Sequence, residues 1–218
     1  MNPWLTVWDL LPVLLLAAVT TVQITAGGFA LSAFIGLVCA LALQFPSRLL
    51  RAAVAVYVDV FRAVPVLTQL FIIYFGLTEI GIRLDPVPAA IVGFGINGGA
   101  YLTEVFRAGI ASVPQGQTEA AQMLGMTRLE VMRIIVLPQA MRISLPPLGN
   151  FVIGLLKDTA LASAVAAPEL MFRARNLVDK TFLSTQIFAT AAVIYLAMSL
   201  PLGYATRRLE ALVSRGHR

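Results

Sequence analysis

The sequence predicts an all-α integral membrane protein, and three observations carry that prediction. Of the 218 residues, 59% are hydrophobic and only 12% are charged, whereas a water-soluble globule has about a quarter of its residues charged. The mean hydropathy is +0.85. The ionisable residues are also spaced so that the gaps match the roughly 20 apolar residues needed to cross a hydrocarbon core about 30 Å thick. Soluble globules, disordered chains, fibrous repeats and disulfide scaffolds are excluded by the same numbers, and the lone Cys39 can form no internal disulfide. In so apolar a chain, the net charge of +5 points to cytoplasmic loops rather than to nucleic acid.

Five spans are expected, all helical, because none of the apolar stretches sustains the apolar/polar alternation of a barrel strand. The first, about 10–45, belongs to an uncharged run from Leu10 to Ser47 that would extend roughly 57 Å as one helix. It is either one long tilted span or a hairpin turning at Gly27 and Gly28. Thr20, Thr21, Gln23 and Thr25 are too few for a polar loop, which favours the single helix. Asp9 and no basic residue precede that run, so a cleavable leader is not expected. The second span, 52–78, contains Asp59, Arg62 and Pro65, whose missing N–H should kink the helix and free carbonyls at mid-membrane depth. The third, 86–111, carries Gly93, Gly95, Gly98 and Gly99, small enough for close helix approach. The fourth, 143–167, holds Pro146, Pro147, Lys157 and Asp158, and the fifth covers 181–206. The whole chain, 1–218, reads as a single transmembrane domain.

An odd number of spans puts the termini on opposite sides. With the N-terminus outside and the C-terminus cytoplasmic, the inner segments hold Arg48, Arg51, Arg128, Arg133, Arg142, Arg207, Arg208, Arg215 and Arg218. The outer segments then hold Arg83, Arg173, Arg175 and Lys180, the asymmetry that the positive-inside rule requires.

Between the third and fourth spans lies a polar loop, 114–142, too long for a simple connection. It reads as two short helices. The first covers about Gln115 to Leu124 and stops at Gly125, a residue suited to a left-handed helix end. The second begins at Thr127, with Glu130 completing a capping box, and is expected to close at Pro138. An amphipathic loop on the bilayer surface and a helix-turn-helix are both compatible with that outline. The second is weakened because the would-be recognition helix spends its face on Val131, Ile134, Ile135 and Val136.

A sharper reading comes from the spacing Glu119-Ala120-Ala121, Gly125, then Ile135-x-Leu137-Pro138, which resembles the EAA loop of ATP-binding-cassette (ABC) importer permeases. Phe61 to Gly76, Gly99 to Arg107, Pro146 to Asn150 and Leu155 to Ser163 resemble blocks of the polar amino acid permease subfamily, in order. That subfamily more often has Gly-Thr where Ala63-Val64 stand, and Ser where Ala160 stands. The resemblance implies a type I importer permease fold, multi-pass in the cytoplasmic (inner) membrane and one half of a ten-span dimer. The second permease subunit would be identical or a paralogue. The loop would dock on a cytoplasmic ABC ATPase dimer that holds ATP and Mg, and an extracytoplasmic solute-binding protein would deliver a polar or charged amino acid. Small Ala120 and Ala121 would allow close approach to the ATPase, Glu119 would offer a charge, and Gly125 would permit the bend.

The motor must lie on another chain. The only lysines are Lys157 and Lys180, and neither follows a Gly-x-x-x-x-Gly string, so there is no P-loop. No catalytic residue, cofactor or metal is expected here. A self-contained ion-coupled transporter or channel for small zwitterions is the alternative, and its expected mark is an isolated membrane-embedded acid. Here each acid within a span is accompanied by a base.

Ionisable groups inside spans cost about 2.5 to 3.5 kcal/mol each on insertion scales, so each needs a partner or a water-filled cavity. Asp59 with Arg62, and Glu104 with Arg107, stand three apart on one helix face and can pair locally. The second pair, near the cytoplasmic boundary, is a candidate gate or anchoring salt bridge. Adjacent Lys157 and Asp158 point about 100° apart and cannot pair well with each other. A site offering both signs suits a zwitterion, so the candidate substrate-binding residues are Lys157, Asp158, Asp59, Arg62, Gln69 and Ser163. Asn97 and Asn150 are further polar residues near that depth. The outer segment from Pro168 to Lys180, with Glu169, Arg173, Arg175, Asp179 and Lys180, reads as a helical mixed-charge strip; the resemblance implies that this face meets the binding protein, and a solvated loop without a partner is the alternative.

Overall fold

The computed structural model describes residues 3–215, with side chains described for 4–211. Arg218, used in the charge count above, lies outside them. The described residues form helices and no strand. Trp4–Ala42, Pro86–Ala111, Arg128–Val165 and Ser184–Ala211 are each long and apolar enough to cross a membrane. Arg48–Ala63 with Val66–Glu79 makes a fifth crossing when the bent pair is taken as one span.

Helix α1 runs unbroken from Pro3 to Ala42, so the single long helix is realised and the hairpin is not. Gly27 and Gly28 serve packing instead of a turn. A Cβ on Gly27 would sit 2.9 Å from Ile91 Cδ1, and one on Gly28 3.2 Å from Phe94 Cβ. The partner is α5 (Pro86–Ala111), whose own glycines answer from the other side. A Cβ at Gly95 would collide with Leu31, one at Gly98 with Ser32, and one at Gly99 with Ile35 at 2.7 Å. Lipid supplies no hydrophobic drive between helices, so this backbone-close packing is what joins them. Ser32 Oγ adds a link, lying 2.7 Å from the Gly28 carbonyl and 3.2 Å from that of Phe94.

The second span is not one straight helix. Helix α2 (Arg48–Ala63) starts from the Ser47 cap and ends before Pro65. Helix α3 (Val66–Phe71), a π-helical stretch at Ile72–Gly76 and the short α4 (Leu77–Glu79) then leave at 103° to it. The kink expected of Pro65 is therefore a near right-angle break. Pro65 cannot donate to the Phe61 carbonyl four residues back. Two side-chain amides do so instead, Gln69 Nε2 at 2.9 Å and Asn97 Nδ2 at 2.8 Å, and Gln69 Nε2 also reaches the Val64 carbonyl at 2.8 Å.

The loop after α5 forms α6 (Gln115–Met123), then Gly125 at φ +83°, then α7 (Arg128–Glu130). The Thr127–Glu130 capping box is present. Pro138, however, does not close the second helix. Helix α7 continues through a π-helical stretch at Val131–Val136 into α8 (Leu137–Asp158). Pro138 deprives the Ile134 carbonyl of its α-helical donor, and widening the preceding turn accommodates that loss without ending the helix. Pro146 and Pro147 lie inside α8, which runs on past them. Ala121, Val131 and Val136 are buried with Ile110, Val113 and Ala140, so the loop is packed against the ends of α5 and α8.

A 3-10 segment, Thr159–Val165, carries the chain from α8 to α9 (Leu170–Thr181), and α10 (Ser184–Arg215) completes the fold. Helix α9 is the expected helical strip, with Arg173, Arg175, Asp179 and Lys180 exposed. Glu169 does not belong to that strip. It is fully buried, caps α9 by accepting from Met171 N–H at 2.9 Å and Phe172 N–H at 2.6 Å, and accepts from Tyr195 Oη at 2.9 Å. Burial pushes its carboxyl above the usual carboxylate range, partly offset by those three bonds. Leu170 N–H donates to Thr21 Oγ1 at 3.1 Å, so the start of α9 is tied to both α1 and α10.

Candidate functional site

The break at Pro65 opens a cavity of about 500 Å³. Its walls are the broken turn from Arg62 to Val66, the face of α5 bearing Phe94, Asn97 and Tyr101, and the last turns of α8 from Phe151 to Asp158. Two opposite charges, Arg62 and Asp158, therefore line one space although they lie in different spans. The Arg62 guanidinium carbon stands 5.2 Å from the Tyr101 ring centroid, a cation–π contact within the attractive range. This replaces the pairing expected within α2: Asp59 is exposed and makes no ion pair with Arg62. Asp59 lies one turn before Arg62 on the helix, yet the break turns Arg62 toward α5, where Tyr101 takes it.

Lys157, Gln69 and Ser163 are not in the lining of the cavity. Lys157 is exposed, about 100° round α8 from Asp158. Gln69 is buried and engaged with the broken turn, while its Oε1 has no hydrogen-bond partner. Ser163 is buried in the 3-10 segment. Asn97 does line the cavity, with its amide committed to Phe61. Tyr101 is the residue that sequence reasoning missed. Its signal was its place four residues after Asn97, on the same helix face.

Below this cavity, Glu104 and Arg107 form the expected salt bridge, Arg107 donating from Nη2 at 2.6 Å and Nε at 3.0 Å to one carboxylate oxygen. They border a second space of about 440 Å³ between α5 and α8.

On the polar loop, Glu119 and Ala120 are exposed, Ala121 is buried against Val131 and Val136, and Gly125 sits in the open with nothing near it. The Glu130 carboxyl is held below its usual range by the backbone N–H and hydroxyl of Thr127. Gln139 braces the loop by donating to Gln117 Oε1 at 2.5 Å. The tip carries bare apolar side chains: Met123 is 89% exposed and Leu124 84%. Sequence reasoning singled out neither of these two.

Comparison with known proteins gives one consistent result. Residues 32–215 match the family described as binding-protein-dependent transport system inner membrane component. The chain is 38% identical to the L-cystine transport system permease protein TcyB of Bacillus subtilis, covering 95% of this chain and 93% of that protein. It is 35% identical to the glutamine transport system permease protein GlnP of Escherichia coli, covering 95% of each. Among solved structures, an amino acid ABC transporter crystallised with histidines superposes with a TM-score of 0.87 at 31% identity, covering 97% of both chains. An inward-facing methionine ABC transporter superposes at 0.80 with 20% identity, over 94% of this chain and 98% of that one, a likeness of fold alone.

Proposed function

The chain belongs to the family of binding-protein-dependent transport system inner membrane components, and on that premise we propose how it works. It is the permease subunit of an ABC importer that moves a polar or charged amino acid across the cytoplasmic membrane. One transmembrane domain pairs with a second permease subunit, identical or a paralogue. A separate ATPase dimer supplies the energy, and a solute-binding protein supplies the substrate. The N-terminus lies outside and the C-terminus in the cytoplasm, the orientation that the arginine asymmetry favours.

The observation that carries the substrate assignment is the cavity holding Arg62 and Asp158. An amino acid presents a carboxylate and an ammonium a few bonds apart. Arg62 is suited to the first and Asp158 to the second, both as charge-assisted hydrogen bonds strengthened by partial exclusion of water. Tyr101 keeps the guanidinium at the cavity wall. Lys157, beside Asp158, is a reserve cation that reaches the cavity only if α8 turns. On the cytoplasmic side, Met123 and Leu124 insert into a groove of the ATPase, Glu119 pairs with a base there, and Gly125 sets the angle of the tip.

The test is uptake by the complete transporter in vesicles, with the binding protein in excess. Arg62→Ala and Asp158→Ala each remove the partner of one charge of the bound amino acid; both side chains are exposed in the isolated subunit, which puts the loss at the lower end of the roughly 2 to 5 kcal/mol of buried pairs. Substrate affinity at the membrane site should fall by well over tenfold, while ATP hydrolysis without substrate persists. Normal uptake by both variants would remove the assignment. Lys157→Ala should have the smaller effect. An ion-coupled carrier is not favoured, since the matched family and relatives are permeases of binding-protein-dependent transport systems, and uptake without ATP would be its mark.

A further inference from the structure

The two spaces described above lie along one seam. On α5, the residues Asn97 and Tyr101 line the upper cavity while Glu104 and Ala108 line the lower groove. Their spacing of four, three and four residues keeps all of them on one helix face. On α8, the residues Asp158, Gly154 and Phe151 line the cavity and Pro147 the groove, again at steps of four, three and four. Each stripe is a single face, and α5 and α8 pack against each other. Along α5, Glu104 lies about 10 Å beyond Asn97 in the direction of the polar loop.

The groove is chemically equipped for the same class of ligand as the cavity. Its volume of about 440 Å³ lies within the roughly 300–1,000 Å³ usual for small-molecule sites. It offers a carboxylate, Glu104, and a guanidinium, Arg107, which in the absence of ligand neutralise each other. A zwitterion can open that pair without leaving a charge unmet, its ammonium taking Glu104 and its carboxylate taking Arg107. The third feature is Ser144. It is 1% exposed, borders the groove, and its Oγ, packed against Gly109, has no hydrogen-bond partner, in a place where buried hydroxyls are ordinarily satisfied; a rotation about its χ1 is needed to turn it to a ligand.

We infer that this groove is a second, loop-side station for the transported amino acid, with Glu104 and Arg107 as its ionic partners and Ser144 as an added hydrogen-bonding group. The inference rests on the proposed function. Its place near the end of α5 means that a movement of the loop reshapes the station directly, since the loop is buried against Ile110, Val113 and Ala140.

Protection of an introduced thiol from mixed-disulfide formation tests it. On a Cys39→Ala background, Ala108→Cys places a thiol in the groove of the reconstituted transporter, in phosphatidylcholine/phosphatidylglycerol vesicles. The rate of its modification by a small cationic thiosulfonate is read with L-glutamine or L-cystine on the loop side, without ATP. The free fraction of a site falls as 1/(1 + [L]/Kd), so amino acid at ten times its Kd should slow the reaction about tenfold. Arg107→Gln and the milder Ser144→Ala should reduce protection, and Arg62→Ala should leave it intact. Unchanged modification in a transporter that takes up the same amino acid would overturn the station and leave the proposed function standing. Protection that vanishes with Arg62→Ala would overturn it too, by assigning the effect to the upper cavity. Slowing caused by phosphatidylethanolamine alone would give the groove to a lipid headgroup. Absence of any ATP-dependent amino acid uptake would refute the proposed function itself.

Discussion

The repair of the broken turn at Pro65 makes a quantitative prediction. The Phe61 carbonyl, deprived of a backbone donor, is held by two amides from different helices, Gln69 Nε2 and Asn97 Nδ2. Removing either one by substitution with Leu leaves the carbonyl satisfied by the other. Each single variant should therefore cost about 0.5–1.5 kcal/mol, the net worth of a typical hydrogen bond. That range agrees with the average of about 0.6 and maximum of about 1.7 found between membrane helices. Gln69→Leu should be the costlier, because it also frees the Val64 carbonyl, a loss only partly offset by removing a buried Oε1 that has no partner. The double variant is different in kind. It leaves the part-buried Phe61 carbonyl with no donor, adding an unsatisfied-group penalty of about 1–3 kcal/mol that neither single change incurs at that carbonyl. Equilibrium unfolding of the four proteins of the cycle in mixed micelles measures this coupling. Additivity within about 0.5 kcal/mol, the scatter of independent sites, would refute the shared-acceptor argument.

Three further outcomes follow from the packing and the loop. Gly36→Ala should destabilise by about 1–3 kcal/mol, because its Cβ would sit 2.8 Å from Leu102 C and 2.9 Å from Thr103 N, backbone that no rotamer change can move; thermal unfolding in detergent reads it. Gly125→Val should cost roughly 1–2 kcal/mol of loop strain at φ +83° and depress uptake with membrane insertion unchanged, whereas Gly116→Ala, with open space around it, should be neutral or slightly stabilising. Glu130 has a depressed folded pKa, so the capping box contributes fully above the ordinary carboxylate value and is lost as pH falls through the folded one. Amide exchange at residues 128–131, corrected for intrinsic rates, should quicken between about pH 6 and pH 3, and Glu130→Gln, which keeps a capping-box side chain, should abolish that pH dependence.

What was legible in the sequence was whatever depends on neighbours along the chain. The apolar lengths gave the helices, Gly125 gave the turn, Thr127 with Glu130 gave the capping box, and Glu104 with Arg107 gave an ion pair on one face. Asp59 with Arg62 has the same spacing as that ion pair and does not form one. The difference lies in Pro65 and in Tyr101, thirty-nine residues beyond Arg62, which no local rule connects. Glu169 misled for a related reason. Its charge and its charged neighbours suggested a solvated strip, but its partners are the first amides of α9 and a tyrosine on α10. Pro138 would end an isolated helix, yet a π-helical turn packed against α6 carries the chain past it.

The same distinction between local and distant partners explains what the cavity can select. Most of its polar groups are already spent. The Asn97 amide is committed to Phe61, and the Val64 carbonyl accepts from Gln69. Ala63 and Val64 stand where the subfamily more often carries Gly-Thr, so this wall adds no side-chain hydroxyl. The side-chain groups left to meet a ligand are the Arg62 guanidinium, the Asp158 carboxylate, Tyr101 and the Oδ1 of Asn97, against the apolar walls of Phe94, Phe151 and Leu155. On the proposed function, such a site would meet the α-carboxylate and α-ammonium that all amino acids share and has little left with which to read a side chain. On this argument the membrane subunit enforces the zwitterion, and discrimination among amino acids falls to the solute-binding protein. Exchanging that protein for one of different specificity, with its docking surface kept, should change which amino acid is taken up while Arg62 and Asp158 remain required for each.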